Sequence, residues 1–265
     1  MLLDLLLTSP SDYDYGKARA WTRDTYAPFA WTAGALYVAA VFAGRRAMAD
    51  RKPFALDGPL AIWNLTLALY SLCSVVALWS DFWASMDQGI AHSWCHKGSY
   101  FSGASGFWAF VFVLSKAAEL GDTAFLVLRK RPVIFLHWIH HLVTLLVAQS
   151  SFRAASSWTR WGIFINLNIH AAMYSYFFAR AVGVRTPKWL PIAMTSCQIL
   201  QFVVMLCGLT FLLHSTMLRP GQGCETSLED GVRAALMYLL NLTLFSKFFY
   251  DSYFAGKKPK AEKIE

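Results

Sequence analysis

The sequence predicts an all-α integral membrane protein with seven transmembrane helices, and three observations carry that expectation. Charged residues make up 15% of the 265 residues, against about 25% in soluble domains. Hydrophobic residues reach 56% and aromatic ones 16%, with 11 tryptophans and 11 tyrosines, rings that settle at the two water interfaces of a bilayer. Several apolar runs approach the ~20 residues a helix needs to cross the hydrocarbon core. The net charge of +8 does not point to nucleic acid, because the basic residues fall in short clusters between apolar runs.

The spans are expected near 27–44, 59–79, 106–128, 133–150, 158–179, 189–213 and 232–252. Arg45, Arg46, Arg51 and Lys52 follow the first, and Arg129, Lys130 and Arg131 follow the third. Arg180, Arg185 and Lys188 follow the fifth, and Lys257, Lys258, Lys260 and Lys263 follow the seventh. The intervening loops carry little beyond Lys97, Arg153 and Arg219. By the positive-inside rule the N-terminus is lumenal and the C-terminus cytosolic. The MLLDLLL start is too short and lacks the basic flank of a cleavable signal, so the first span is expected to do the targeting. No linker or repeat divides the chain, and residues 1–265 read as one domain.

Cys73, Cys197 and Cys207 fall inside spans, whereas Cys95 and Cys224 fall in the two largest non-cytosolic loops. A disulfide between that last pair is expected on the oxidising side. The sequons at Asn64 and Asn241 lie within spans, out of reach of glycosylation.

Ionisable residues inside a membrane cost about 2.5–3.5 kcal/mol each, so they face protein or water and mark function. The run LHWIHHLVTL places His137, His140 and His141 at i, i+3 and i+4 on one helical face. KAAELGDT aligns Lys116, Glu119 and Thr123, with Asp122 three after Glu119; a short basic turn then leads into the histidine helix. NLNIHAAMYSY puts Asn166, His170, Met173 and Tyr174 on one face, and TSCQILQF adds Gln198 and Gln201. Singly, these are ordinary interhelical hydrogen-bond formers. Four helices presenting polar residues together argue for an enclosed polar chamber.

Two chemistries suit it. Imidazole ligates iron, copper and zinc, yet one histidine box plus His170, with Glu119 and Asp122 as the carboxylates, is a thin inventory for the di-iron site of a desaturase or hydroxylase. Neutral imidazole is also a nucleophile and a base, and Asn166, Lys116 or a histidine N–H can stabilise an enolate oxygen. No cysteine lies near the histidines, which favours histidine itself as the nucleophile. A non-enzymatic transporter or scaffold with a polar core is the third reading.

In order and spacing, KAAELGDT, HWIHH, NLNIHAAMYSY and TSCQILQF resemble the very-long-chain fatty acid elongases, membrane 3-oxoacyl-CoA synthases, over at least residues 53 to 255. The resemblance implies seven helices in the endoplasmic reticulum membrane, six forming an inverted barrel around an acyl tunnel. It also implies condensation of acyl-CoA with malonyl-CoA to 3-oxoacyl-CoA, carbon dioxide and CoA, without a cofactor or metal. His140 then resembles the acyl-accepting nucleophile, opposite His170; His141 is the second candidate and His137 orients its neighbours. Lys116 with Arg129, Lys130 and Arg131 is expected to hold CoA phosphates. Glu119, Asp122, Asn166, Tyr174, Gln198 and Gln201 complete the substrate-binding set. Phe177 departs from the pattern, since many relatives carry a second tyrosine there. Gly121 and Trp138 resemble the subgroup acting on saturated and monounsaturated chains of about C16–C18. Expected partners are the bilayer, the two CoA thioesters and the reductases and dehydratase of the elongation cycle, with no nucleic acid. A homo-oligomer is compatible with this reading.

Overall fold

The computed structural model describes residues 1–218 and 223–255, and among these there is no strand. Arg219 and the tail lysines 257, 258, 260 and 263 lie outside the described residues. The helices in chain order are α1 (Leu2–Leu7), α2 (Tyr15–Trp21), α3 (Ala27–Ala47), α4 (Asp57–Ala84), α5 (Ile90–Cys95) and α6 (Gly103–Ala118). They continue with α7 (Gly121–Leu128), α8 (Phe135–Ala154), α9 (Thr159–Ala181), α10 (Trp189–Leu218) and α11 (Leu228–Tyr253).

Among the described residues, four helical stretches are long and apolar enough to cross a membrane: Tyr15–Ala47, Asp57–Ala84, Trp189–Leu218 and Leu228–Tyr253. The first begins twelve residues before its expected start at 27, because a π-helical turn at Thr22–Tyr26 joins α2 to α3 without a break. Pro28 follows that turn; its ring and missing N–H disfavour regular α-bonding there, and a π turn relieves the clash. The expected third span is split into α6 and α7, joined by a tightened turn in which Leu120, Asp122 and Thr123 donate to carbonyls three residues back. α8 and α9 carry the histidines, Asn166 and Arg160, and those polar residues lower their hydropathy.

α4 shows why such helices belong in lipid. Ile62, Leu65, Leu69, Leu72 and Val76 are exposed at three- and four-residue intervals, while Asn64, Ser71 and Ser74 are buried on the opposite side. An apolar outer face and a polar inner one reverse the pattern of a soluble helix. Cys73, Cys197 and Cys207 are free and lie on exposed faces.

Packing follows a closed circuit: α4 lies against α9, α9 against α10, α10 against α11, α11 against α8, α8 against α6, and α6 against α4. α3 packs outside that circuit, on α8 and α7. At the end away from the basic turns, Tyr13, Trp21, Phe101, Phe110 and Phe152 form an aromatic core, and Phe82 stacks on Phe164 at 4.0 Å. Cys95 and Cys224 are disulfide-bonded at this same end, where Glu225 N–H donates to the Cys95 carbonyl and Ser157 N–H to that of Glu225.

Candidate active site

On α8 the three histidines share a helical face, but their tertiary neighbours divide them. His137 Nε2 is 2.9 Å from Thr123 Oγ1, which is 2.7 Å from the Tyr37 hydroxyl. His141 Nε2 is 4.0 Å from Asp122 Oδ2. His140 Nδ1 instead lies 2.9 Å from Asn241 Oδ1 on α11. Asn241 donates its own amide to the Met237 carbonyl, so its Oδ1 is the acceptor and His140 Nδ1 carries the hydrogen. The His140 Nε2 lone pair is left free.

The His140 side chain lines a cavity of about 670 Å³ of atom-free space, its mouth included. Lys116, His140, Thr144, Asn166, Gln201 and Asn241 form its polar stretch, while Phe101, Phe152, Trp158 and Tyr238 line its apolar end. Of the four expected histidines, His140 alone is on the wall. His140 and Ser151, both on the wall, are about 16 Å apart along α8 at 1.5 Å per residue.

A buried network runs through the polar wall. Lys116 Nζ donates to Glu119 Oε1 at 2.7 Å and to Asn166 Oδ1 at 3.1 Å, and it lies 4.2 Å from the centre of the Phe112 ring. Glu119 Oε1 also accepts from Ser115 and is 3.7 Å from His170 Nδ1. Lys116 is 4% exposed, so it sits inside the bundle with Glu119 neutralising it. Its place is apart from the basic turn where CoA phosphates are expected, and its ammonium orients Asn166 instead. The Asn166 amide N–H group is thereby turned free of Lys116.

A second cluster surrounds Asp122. Trp63 Nε1 donates to Oδ1 at 2.6 Å and the Tyr174 hydroxyl to Oδ2 at 2.8 Å. Gly121 makes this possible, because a Cβ there would stand 2.9 Å from Trp63 Cζ2. Gly121→Ala is expected to push the indole off Asp122 and to lower turnover by about 10-fold to 10²-fold. Initial rates on protein that elutes at the native size check this, and an unchanged rate would detach the cluster from catalysis.

The remaining expected residues scatter. Gln201 reaches the cavity, but Gln198 donates to Met173 Sδ at 3.5 Å. Arg129 pairs with Asp57, and Lys130 donates to the carbonyls of Ala49 and Arg51. With Arg131 and Phe54 they line a shallow surface pocket. Phe177 is 45% exposed on the outer face, so the hydroxyl it lacks would not reach the chamber. Trp138 packs edge-on against Phe42 and Phe135, outside the cavity. Among the described residues no three His, Cys, Asp or Glu side chains converge as metal ligands.

Sequence reasoning missed Asn241, Thr144, Trp63 and Tyr37. Asn241 drew notice only as a sequon, and an asparagine inside an apolar span was the available signal. It also missed the brace beneath the apolar end. Asp230, fully buried, accepts from Ser151 at 2.8 Å, Ser156 at 2.5 Å and the Trp158 indole at 3.1 Å. Ala155 ends α8 in the left-handed conformation with φ 50°, and this turns Ser156 and Trp158 back towards Asp230.

Comparison with known proteins identifies relatives over most of the chain. The chain is 38% identical over 237 residues to "Long chain fatty acid elongase 2" of Caenorhabditis elegans, covering 89% of this chain and 86% of the relative. It is 39% identical over 232 residues to "Very long chain fatty acid elongase 6" of Mus musculus, covering 87% and 86%. To "Very long chain fatty acid elongase 3" of Homo sapiens it is 32% identical over 252 residues, covering 95% and 92%. Residues 22–261 match the family described as "ELO: GNS1/SUR4 family", and the chain belongs to that family.

Proposed function

We propose that the protein is a fatty acid elongase, a 3-oxoacyl-CoA synthase that condenses a long-chain acyl-CoA with malonyl-CoA and uses no cofactor beyond these substrates. The observation that carries the mechanism is His140: its Nε2 is free, its Nδ1 is held by Asn241, and it alone of the histidines faces the cavity. His140 Nε2 attacks the acyl thioester carbon, the carbon–sulfur bond breaks, and CoA leaves as thiolate. The acyl-imidazolium so formed keeps its Nδ1–H on Asn241. Malonyl-CoA then loses carbon dioxide, and its enolate carbon attacks the acyl carbon, restoring neutral His140 and giving 3-oxoacyl-CoA. Asn166, with its oxygen occupied by Lys116, offers N–H donors to the enolate oxygen. His170, beside Glu119, handles the proton that the thiolate takes up.

Seven helices cross the membrane in this reading, six of them closing as a barrel around the acyl tunnel. The packing circuit from α4 through α9, α10, α11, α8 and α6 supports it. Arg129, Lys130 and Arg131 at the α7–α8 turn face the CoA phosphates. The product, a β-keto thioester, calls for reductase and dehydratase partners. Purified protein given labelled malonyl-CoA and a panel of acyl-CoAs should release carbon dioxide and form 3-oxoacyl-CoA. Absence of both with every acyl-CoA would refute the activity.

Trp158 lines the cavity beside Tyr238, so it limits how far the acyl chain enters. Chains of about C16–C18 are the proposed substrates on the family subgroup pattern of Gly121 and Trp138. Trp158→Ala should move the longest product upward by at least one elongation cycle, read by chromatography of the products. An unchanged product range would place the length limit elsewhere.

The endoplasmic reticulum membrane is the proposed location, with the N-terminus lumenal and the C-terminus cytosolic. The disulfide between Cys95 and Cys224 at the end opposite the basic turns supports that orientation. In sealed microsomes a C-terminal tag should be open to protease, and a protected tag would reverse the assignment.

A further inference from the structure

The end opposite the basic turns is expected to be poor in cations, yet arginines gather there. Arg19 on α2 donates its Nε to the carbonyl of Arg153, in the last turn of α8, at 2.7 Å. Two residues before Arg153, Ser151 donates to Asp230, and Arg233 on α11 is 3.7 Å from that same carboxylate. Three helices thus bring Arg19, Arg153 and Arg233 to one place, with Arg23 one turn beyond Arg19.

Carboxylates answer only part of this charge. Arg23 is forked onto Asp24 at 2.6 and 2.8 Å. Arg233 reaches Glu229 at 3.3 Å, and Asp230 is taken by two serines and an indole. Among the described residues Arg19 and Arg153 make no ion pair, and the Nε atoms of both Arg153 and Arg233 are buried without a hydrogen-bond partner. A buried guanidinium N–H left unsatisfied is costly, and cations are disfavoured on this side of a membrane protein. An anion with several acceptor oxygens, meeting the outer guanidinium N–H groups, offsets this charge. Phe29, Val232 and Leu236 are exposed apolar residues on α3 and α11, as expected of helix surface beside lipid.

We propose that Arg19, Arg153 and Arg233 form a phosphate-binding site, filled by the headgroup phosphate of a phospholipid or by soluble phosphate. Guanidinium forks match pairs of oxygens on a tetrahedral phosphate. The bound group ties α2, α8 and α11 together beside the closed end of the cavity. This site is independent of the condensation chemistry.

The test uses the full-length protein and the variants Arg153→Gln and Arg19→Gln, the second at an exposed side chain. One arm places each in nanodiscs of phosphatidylcholine with a minor share of phosphatidylglycerol, then reads retained lipid by mass spectrometry and the thermal unfolding midpoint. The other arm adds inorganic phosphate to lipid-stripped protein in detergent. The wild type should retain phospholipid, or gain thermal stability from phosphate, roughly tenfold more strongly than either variant. Retention in the lipid arm identifies a headgroup; a response in the phosphate arm alone identifies a soluble anion. Equal retention and equal midpoint response in all three proteins would overturn the site, and Arg153→Lys separates loss of charge from loss of the fork.

Discussion

Acyl-CoA alone, without malonyl-CoA, is expected to release CoA from the wild type and leave an acyl mass on the peptide containing residues 137 to 141. His140→Ala should abolish that release and lower condensation by ~10³-fold or more. The expectation rests on geometry rather than on histidine content. His137 is bonded to Thr123, and His141 stands against Asp122, whereas the His140 ring faces the cavity with Nδ1 fixed by Asn241. Asn241→Leu should then keep the fold but lose the tautomer, with a fall of about 10² in rate. A mass addition on His141, or no CoA release before malonyl-CoA is added, would end the covalent mechanism for His140.

Asp230→Ala should destabilise the protein by about 3–5 kcal/mol, the usual result of removing one partner from a buried charged network. Ser151, Ser156 and Trp158 all donate to this carboxylate, and without it three buried donors have no acceptor. Its place in the first turn of α11 adds a favourable interaction with the helix N-terminus. The thermal midpoint in detergent should drop sharply for Asp230→Ala and less for Asp230→Asn, which keeps one acceptor oxygen. Trp158 would also be released from the cavity end, so surviving Asp230→Asn protein should make longer products. A midpoint equal to that of the wild type would mean that the brace carries no stability.

The helical class and the ordered polar motifs were legible in the sequence because they are local properties. Hydropathy accumulates along a run of adjacent residues, and a helix repeats every 3.6 of them, so His137, His140 and His141 share a face whatever surrounds them. That Lys116 pairs with Glu119 also follows from a three-residue spacing. Spacing could not show that Asn241, 101 residues further on, holds His140. Nor could it show that Trp63 meets Asp122 only because Gly121 has no side chain, or that Lys116 also bonds Asn166 on α9. By residue type alone the four histidines were equivalent candidates, and the resemblance to the elongases put His140 first. Packing gave each ring a different neighbour, because a helical face about 100° wide meets several neighbours, and which neighbour each ring meets depends on elements brought together by folding.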